Sequence, residues 1–346
     1  MIQLNPRVNN PAVGTFYVLL SAIFFSLGGF MIKIVPWQSL SVSGVRSIFA
    51  LITLLLYMKL IHHPFRLNPS VIFGGICSVS MSITFVCATK MTSAANAIIL
   101  QFTHPVFLIL ILWLFYHKRP DKRAILTCII ALIGIVCFFF DKITSGGMLG
   151  NLLAIISGLS YAIMFQMKKM KGGDFESSLV ISYILAFIIG LPTAVHETIH
   201  TPSIWLVIVL LGTVQTGLAT ICLSRGLDAV SPVTAALTSG IEPILNPVLA
   251  AIICGETIGP MSIAGGVLVI GSVLAYSLSQ IKRPVSAGFN IQKPGTDLEQ
   301  FLNSQLIICL HRVQSNTVKK SEPSAHFIFF VYVNKINDFC NGCDPP

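Results

Sequence analysis

Charge is what this sequence has least of. Of 346 residues, 22 are Lys or Arg and 13 are Asp or Glu, so 10% are charged while 54% are hydrophobic. A soluble domain carries about 25% charged residues. A water-facing surface cannot be built from so few charges, which excludes an ordinary soluble enzyme and makes lipid the expected solvent. Nucleotide and nucleophile motifs are lacking too. No G-x-x-x-x-G-K-[ST] loop occurs to cradle ATP phosphates, and no G-x-S-x-G elbow presents a serine. A disulfide framework is also missing. Of nine cysteines, Cys77, Cys87, Cys128, Cys137, Cys222 and Cys254 are scattered singly in apolar runs, where Cys acts as a small hydrophobe. Cys340 and Cys343 form one C-x-x-C without a second pair or nearby His, which is weak support for zinc or redox chemistry.

What is there is a series of apolar blocks, each of about 20 residues, the length at which a helix crosses a hydrocarbon core. Ten are read, at 13–34, 40–60, 70–88, 95–116, 124–140, 149–167, 178–195, 204–224, 232–254 and 259–280. The opening "MIQLNPRVNNPAVG" has one cation and no A-x-A site, so the first block is read as a span, not a cleavable signal. With the N-terminus inside, thirteen cations fall on the cytoplasmic side: Arg7, Lys59, Arg66, Lys118, Arg119, Lys122, Arg123, Lys168, Lys169, Lys171, Arg225, Lys282 and Arg283. Three fall outside: Lys33, Lys90 and Lys142. This bias predicts a multi-pass protein of the cytoplasmic membrane with both termini in the cytoplasm. It also accounts for the net charge of +9 without a nucleic-acid partner.

The chain resembles itself weakly. At an offset of 138, "SAANAIILQFTHPVFL" lies on "SPVTAALTSGIEPILN", matching Ser93 with Ser231, Ala97 with Ala235 and Pro105 with Pro243. At an offset of 136, Gly14, Ser21 and Lys33 fall on Gly150, Ser157 and Lys169. Each half holds five spans, an odd number, so the halves are expected to be inverted. The predicted fold is an all-α integral membrane protein of ten transmembrane helices in two inverted five-helix repeats, 12–144 and 147–282, followed by a poorly ordered cytoplasmic tail, 283–346. Inverted repeats suit secondary transporters, with the solute site near the midplane between the halves.

Four stretches carry a resemblance to a known family: "LLSAIFFSLGGFMIK", "GVRSIFALITLLL", "TSAANAIILQFTHPVF" and "SPVTAALTSGIEPILNPVLAAIICGETIGP". Over residues 12–282 the sequence resembles the EamA-like transporters of the drug/metabolite transporter superfamily. The resemblance implies ten helices, a central cavity lined by the first four helices of each half, and transport of amino acids, nucleosides, sugars or similar metabolites. Where the family has an acidic G-E turn after helix four, this chain reads "FYHKRP"; only the second half keeps Gly255 and Glu256.

An ionisable residue at the centre of a span costs about 2.5–3.5 kcal/mol on insertion scales, so it marks function by default. His104 and Glu242 are such residues at equivalent repeat positions, each followed by a proline that disturbs the preceding turn. They are read as a pair that handles solute or proton, or as a structural hydrogen bond between two helices. Arg46 is placed to clamp a carboxylate or phosphate, or to snorkel outward. Gln101, Gln215 and Asn246 are neutral groups able to orient a polar solute or to join helices. Tyr161 and Trp37 offer stacking, Trp37 at the depth of an aromatic belt. Gly28 and Gly29 are read as packing or hinge positions. "HETIH", residues 196–200, matches H-E-x-x-H but falls in a loop flanked by Pro192 and Pro202, the wrong context for zinc.

The leading expectation is a secondary carrier of a small organic solute in a lipid bilayer, working by alternating access, with no catalytic residue, metal or cofactor. A proton is its candidate coupling ion, and a homodimer is left open. The runner-up is a membrane-embedded enzyme such as a metal-dependent hydrolase; a channel ranks third because the polar residues form no ring.

Overall fold

Helices start here where a short polar side chain or a proline meets the apolar run. Asn10, Asn68, Ser93, Asp174 and Ser231 each accept a first-turn backbone N–H, and prolines occupy the first turn at residues 11, 69, 202 and 232. Ser93 and Ser231, which the repeat aligns, thus do the same work in both halves. Inside the helices, Ser26, Ser47, Thr53, Thr84 and Thr89 return their hydroxyls to the carbonyl one turn back, so no polar donor is offered to lipid.

A computed structural model describes residues 10–117, 121–141, 147–254 and 260–281. Arg7, Lys118, Arg119, Lys142, Gly255, Glu256, Lys282, Arg283, Cys340, Cys343 and the 283–346 segment lie outside the described residues. The described elements are α1 (Pro11–Ser26), α2 (Gly28–Ile34), α3 (Ser39–Leu60), α4 (Pro69–Met91), α5 (Ala94–Gln101), α6 (His104–Tyr116) and α7 (Lys122–Asp141). They continue with α8 (Met148–Gln166), α9 (Phe175–Ala194), α10 (Pro202–Leu210), α11 (Ala219–Ala229), α12 (Pro232–Thr238), α13 (Glu242–Cys254) and α14 (Pro260–Ile281). A π-helical segment, Leu211–Leu218, joins α10 to α11. No strand occurs among the described residues. Among the described residues, 10–110, 121–141, 147–254 and 260–281 form one compact unit, which holds the site described below; residues 111–117 fall outside it.

Seven helical stretches among the described residues are long and apolar enough to cross a membrane: Pro11–Ile34, Ser39–Leu60, Pro69–Met91, Asn96–Tyr116, Met148–Lys169, Phe175–Ala194 and Pro202–Ala229. Leu56, Leu126, Leu206 and Ile252 are each more than half exposed, as fits an outer surface solvated by acyl chains. The main packed pairs are α3 with α9, α7 with α14, α4 with α8, and α1 with α11. Further pairs are α4 with α9, α3 with the π segment, α5 with α8, and α13 with α1 and α2. The α3/α9 pair is antiparallel, because Gln38 before α3 meets Glu197 after α9, while Arg66 after α3 meets Ser177 in the first turn of α9.

The structure refines the spans. The first bends at Leu27, the fourth breaks at Phe102–Thr103, and the ninth breaks through a 3-10 turn, Ser239–Ile241. His104 and Glu242 are the first residues after the two breaks. The proline behind each lacks an N–H, so the helix can restart there but not run through.

Candidate functional site

The broken and unwound segments converge on one pocket. It is lined by Arg46 of α3, Ser78, Met81, Ser82 and Phe85 of α4, Gln101 of α5, and Tyr161 of α8. Phe25 of α1, Leu179, Ser182 and Tyr183 of α9, Gln215 and Thr216 of the π segment, Thr220 of α11 and Glu242 of α13 complete it. Several lining residues sit where helices end or restart: Phe25 near the end of α1, Gln101 at the end of α5 and Glu242 at the start of α13.

Arg46 is the buried cation, only 4% exposed. It does not snorkel; its guanidinium donates from Nη1 to Gln215 Oε1 at 3.1 Å and from Nη2 to Ser82 Oγ at 3.0 Å. Gln215 Oε1 also accepts from Thr216 Oγ1 at 2.9 Å, which fixes the amide that holds the guanidinium. All these partners are neutral, and Nε has no partner at all. The π segment makes this possible by presenting Gln215 and Thr216, one after the other, toward one centre.

Glu242 is the buried acidic residue of the same pocket, 5% exposed. Its carboxylate makes no ion pair with any described residue. The expected pairing with His104 does not form. His104 Nδ1 faces Gln101 O at 3.2 Å, and its ring stacks on Phe165 at 5.1 Å and 10° and meets Phe102 edge-on at 5.2 Å. Tyr161, 4.6 Å from the His104 ring, separates it from the lining. The facing of the restarted helix differs: the first turn of α6 faces the α8 aromatics Tyr161 and Phe165, whereas the first turn of α13 brings Glu242 to the pocket.

Gln101 lines the pocket and donates to Ser157 Oγ at 2.6 Å, which in turn donates to Met81 O at 2.9 Å. This chain ties α5, α8 and α4 together. Asn246 is outside the lining. Its side chain is fully buried without a hydrogen-bond partner and lies so close to Gly29 that a Cβ there would come within 1.9 Å of Oδ1. Gly28 allows the same intimacy with Gln215, whose Nε2 would be 2.8 Å from a Cβ. The structure therefore gathers Arg46, Gln101, Tyr161, Gln215 and Glu242, and leaves His104 and Asn246 behind them.

Sequence reading missed Ser78, Ser82, Thr216, Thr220 and Tyr183. The signal was present as hydroxyl residues four apart, 78 with 82 and 216 with 220, which share a helix face. Trp37 is corrected as well. It is 3% exposed, with Nε1 donating to Ile199 O at 2.7 Å, so it is not an exposed belt residue. "HETIH" is non-helical as expected for a loop, and His200 Nε2 faces Glu197 O at 2.7 Å.

An all-helical membrane protein that buries a polar pocket lined by an arginine and a glutamate between its spans has the build of a solute transporter. The chain belongs to the EamA-like transporter family, whose model matches it twice, over residues 12–140 and 148–278. It is 24% identical over 264 residues to an uncharacterized transporter of Archaeoglobus fulgidus, covering 75% of this chain and 95% of that one. It is 25% identical over 292 residues to an uncharacterized transporter of Clostridium kluyveri, covering 76% and 93%. Solute carrier family 35 member G1 of Mus musculus matches at 26% identity over 202 residues, 54% of each chain. A solved structure described only as a protein superposes with a TM-score of 0.64 at 14% identity, covering 80% of this chain and all of the other, a likeness of fold alone.

Proposed function

We propose that this transporter is a secondary carrier for small organic solutes bearing both an anionic and a cationic group, such as an amino acid. One observation carries the reading: Arg46 and Glu242 line the same buried pocket, and neither makes an ion pair with any described residue. A buried charge without a counter-charge is costly, and a dipolar solute supplies both counter-charges at once. Its carboxylate would take the guanidinium fork, its ammonium the Glu242 carboxylate, and its side chain the space beside Phe25, Phe85 and Tyr161.

The architecture we favour is ten spans in two inverted repeats, 12–144 and 147–282, rocking about this pocket by alternating access in the cytoplasmic membrane, both termini cytoplasmic. The helix pairings support it. Exchanging each span with its counterpart in the other half turns α4/α8 into α1/α11 and α4/α9 into α3/π segment, and leaves α3/α9 and α7/α14 unchanged. The breaks before His104 and Glu242 obey the same exchange.

The test is competition for flux into proteoliposomes. A labelled α-amino acid should be displaced by other zwitterions, but weakly by its amide, which lacks the carboxylate, or by its deaminated acid. Arg46→Lys keeps the charge but loses the fork, and loss of one charge-assisted hydrogen bond costs about 1.5–3 kcal/mol, or roughly a 10- to 150-fold higher half-saturation. Equal competition by amide and deaminated acid would sink the dipolar reading.

A further inference from the structure

At each end of the antiparallel α3/α9 pair, a loop from the first half of the chain is fastened to a segment of the second. At one end, Trp37 Nε1 donates to Ile199 O at 2.7 Å and Gln38 N donates to Glu197 Oε1 at 2.7 Å. The Trp37 ring meets His200 edge-on at 5.6 Å and Trp205 at 5.4 Å, and Lys90 Nζ holds the Trp37 carbonyl at 2.9 Å. At the other end, His63 Nε2 lies 3.3 Å and Arg66 Nε 3.9 Å from Asp174 Oδ2. There too Arg66 N donates to Ser177 Oγ at 3.0 Å, Asn68 Nδ2 to Gly172 O at 2.8 Å and Ser70 Oγ to Lys171 O at 2.9 Å.

We propose that these two fastenings are the carrier's two gates, one built around aromatic rings at 35–38 with 195–201, and one built around ion pairs at 61–70 with 171–177. The inference rests on the alternating-access reading above. Three features point to it. The fastenings bracket the pocket: Arg46 sits about 12 Å along α3 from Gln38 and about 21 Å from Leu60, at 1.5 Å per residue. Both join the first half to the second, so neither can persist while its end of the molecule opens. Both are built at loops, in part from exposed Gln38 and half-buried Asn68, whose hydrogen bonds water can replace on opening. The "HETIH" segment thereby gains a role unrelated to zinc, supplying Glu197, Ile199 and His200 to the aromatic gate.

The ionic end invites a metal reading, since donor atoms of His63, Asp174 and Glu176 all lie within 4.8 Å of one another. The carboxylates are already engaged. Asp174 caps Ser177 N at 2.9 Å besides facing His63 and Arg66, and Glu176 faces Lys168 Nζ at 3.3 Å and accepts from the Ser224 hydroxyl. An ion-pair lock accounts for the cluster.

Two conservative variants test the gates in the full chain in lipid nanodiscs. Asp174→Asn keeps the helix cap but removes the charge facing His63 and Arg66; Trp37→Phe keeps a ring but removes the donor to Ile199. Hydrogen exchange is read on peptides covering both ends. Asp174→Asn should raise exchange several-fold at 61–70 and 171–177 and lower it at 35–38 and 195–201, because opening one gate draws the population away from states with the other open. Trp37→Phe should give the reverse pattern. If exchange rises only at the altered end, the fastenings are staples and the gate proposal is overturned. Should either variant misfold, His63→Gln and Glu197→Ala probe the same ends. Failure of the carrier reading is separate: the unaltered protein would then give no saturable flux in proteoliposomes, whatever the exchange pattern.

Discussion

Glu242 and His104 occupy matched places in the sequence and unmatched places in the molecule. Both restart a broken helix in front of a proline, yet Glu242 lines the pocket while His104 is packed among Phe102, Tyr161 and Phe165. Their roles should therefore separate. Glu242→Gln keeps the shape and hydrogen-bonding capacity but removes the titratable charge, so folded protein should lose flux or its response to pH. His104→Gln removes the ring that backs Tyr161 and should act by loosening the lining. If the two residues act independently, their effects add within about 0.5 kcal/mol, roughly a twofold factor in rate. A double variant of flux equal to either single variant would instead mean that the two residues act as a unit.

At the scale of elements, three irregularities border the pocket. The breaks at Phe102–Thr103 and Ser239–Ile241 and the π segment Leu211–Leu218 are backbone irregularities within otherwise helical spans. Such irregular backbone is tolerated at membrane depth where protein or a cavity satisfies it. Gly28 and Gly29 at the start of α2 let Gln215 and Asn246 approach the backbone. Gly29→Ala would place a Cβ 1.9 Å from Asn246 Oδ1, and overpacking of this kind costs about 1–3 kcal/mol. The expected result is a lower melting temperature in detergent, largely recovered when Asn246→Ala is added. Unchanged melting would mean that α2 and α13 are not so closely packed.

For the whole molecule, the cation bias and the pairing symmetry point the same way. The gate containing Arg66, Lys168 and Lys171 belongs on the positive, cytoplasmic side under the proposed orientation, and the gate containing Trp37 and Glu197 on the other. Reporter fusions in the 118–123 loop and after residue 283 should then read cytoplasm. An external signal at either place would reverse both the topology and the assignment of gates to sides.

The sequence by itself determined the class of protein, because the penalty for placing charge in lipid is paid residue by residue and leaves apolar blocks of membrane length. It also determined the family and the positions of the helix breaks, through prolines 105 and 243. Five of the seven named site residues line the pocket: Arg46 and Glu242, legible from the cost of an ionisable group in a span, Gln101 and Gln215 from their hydrogen-bonding capacity, and Tyr161 from its ring. Only the tertiary structure decided which polar groups meet. Arg46 and Gln215 are 169 residues apart, and helices that are apolar on every face carry no periodic signal to say which way each side chain turns. The same lack of rotational signal hid the separation of His104 from Glu242 and the burial of Trp37, since both follow from the facing of one helix or loop against another half of the chain.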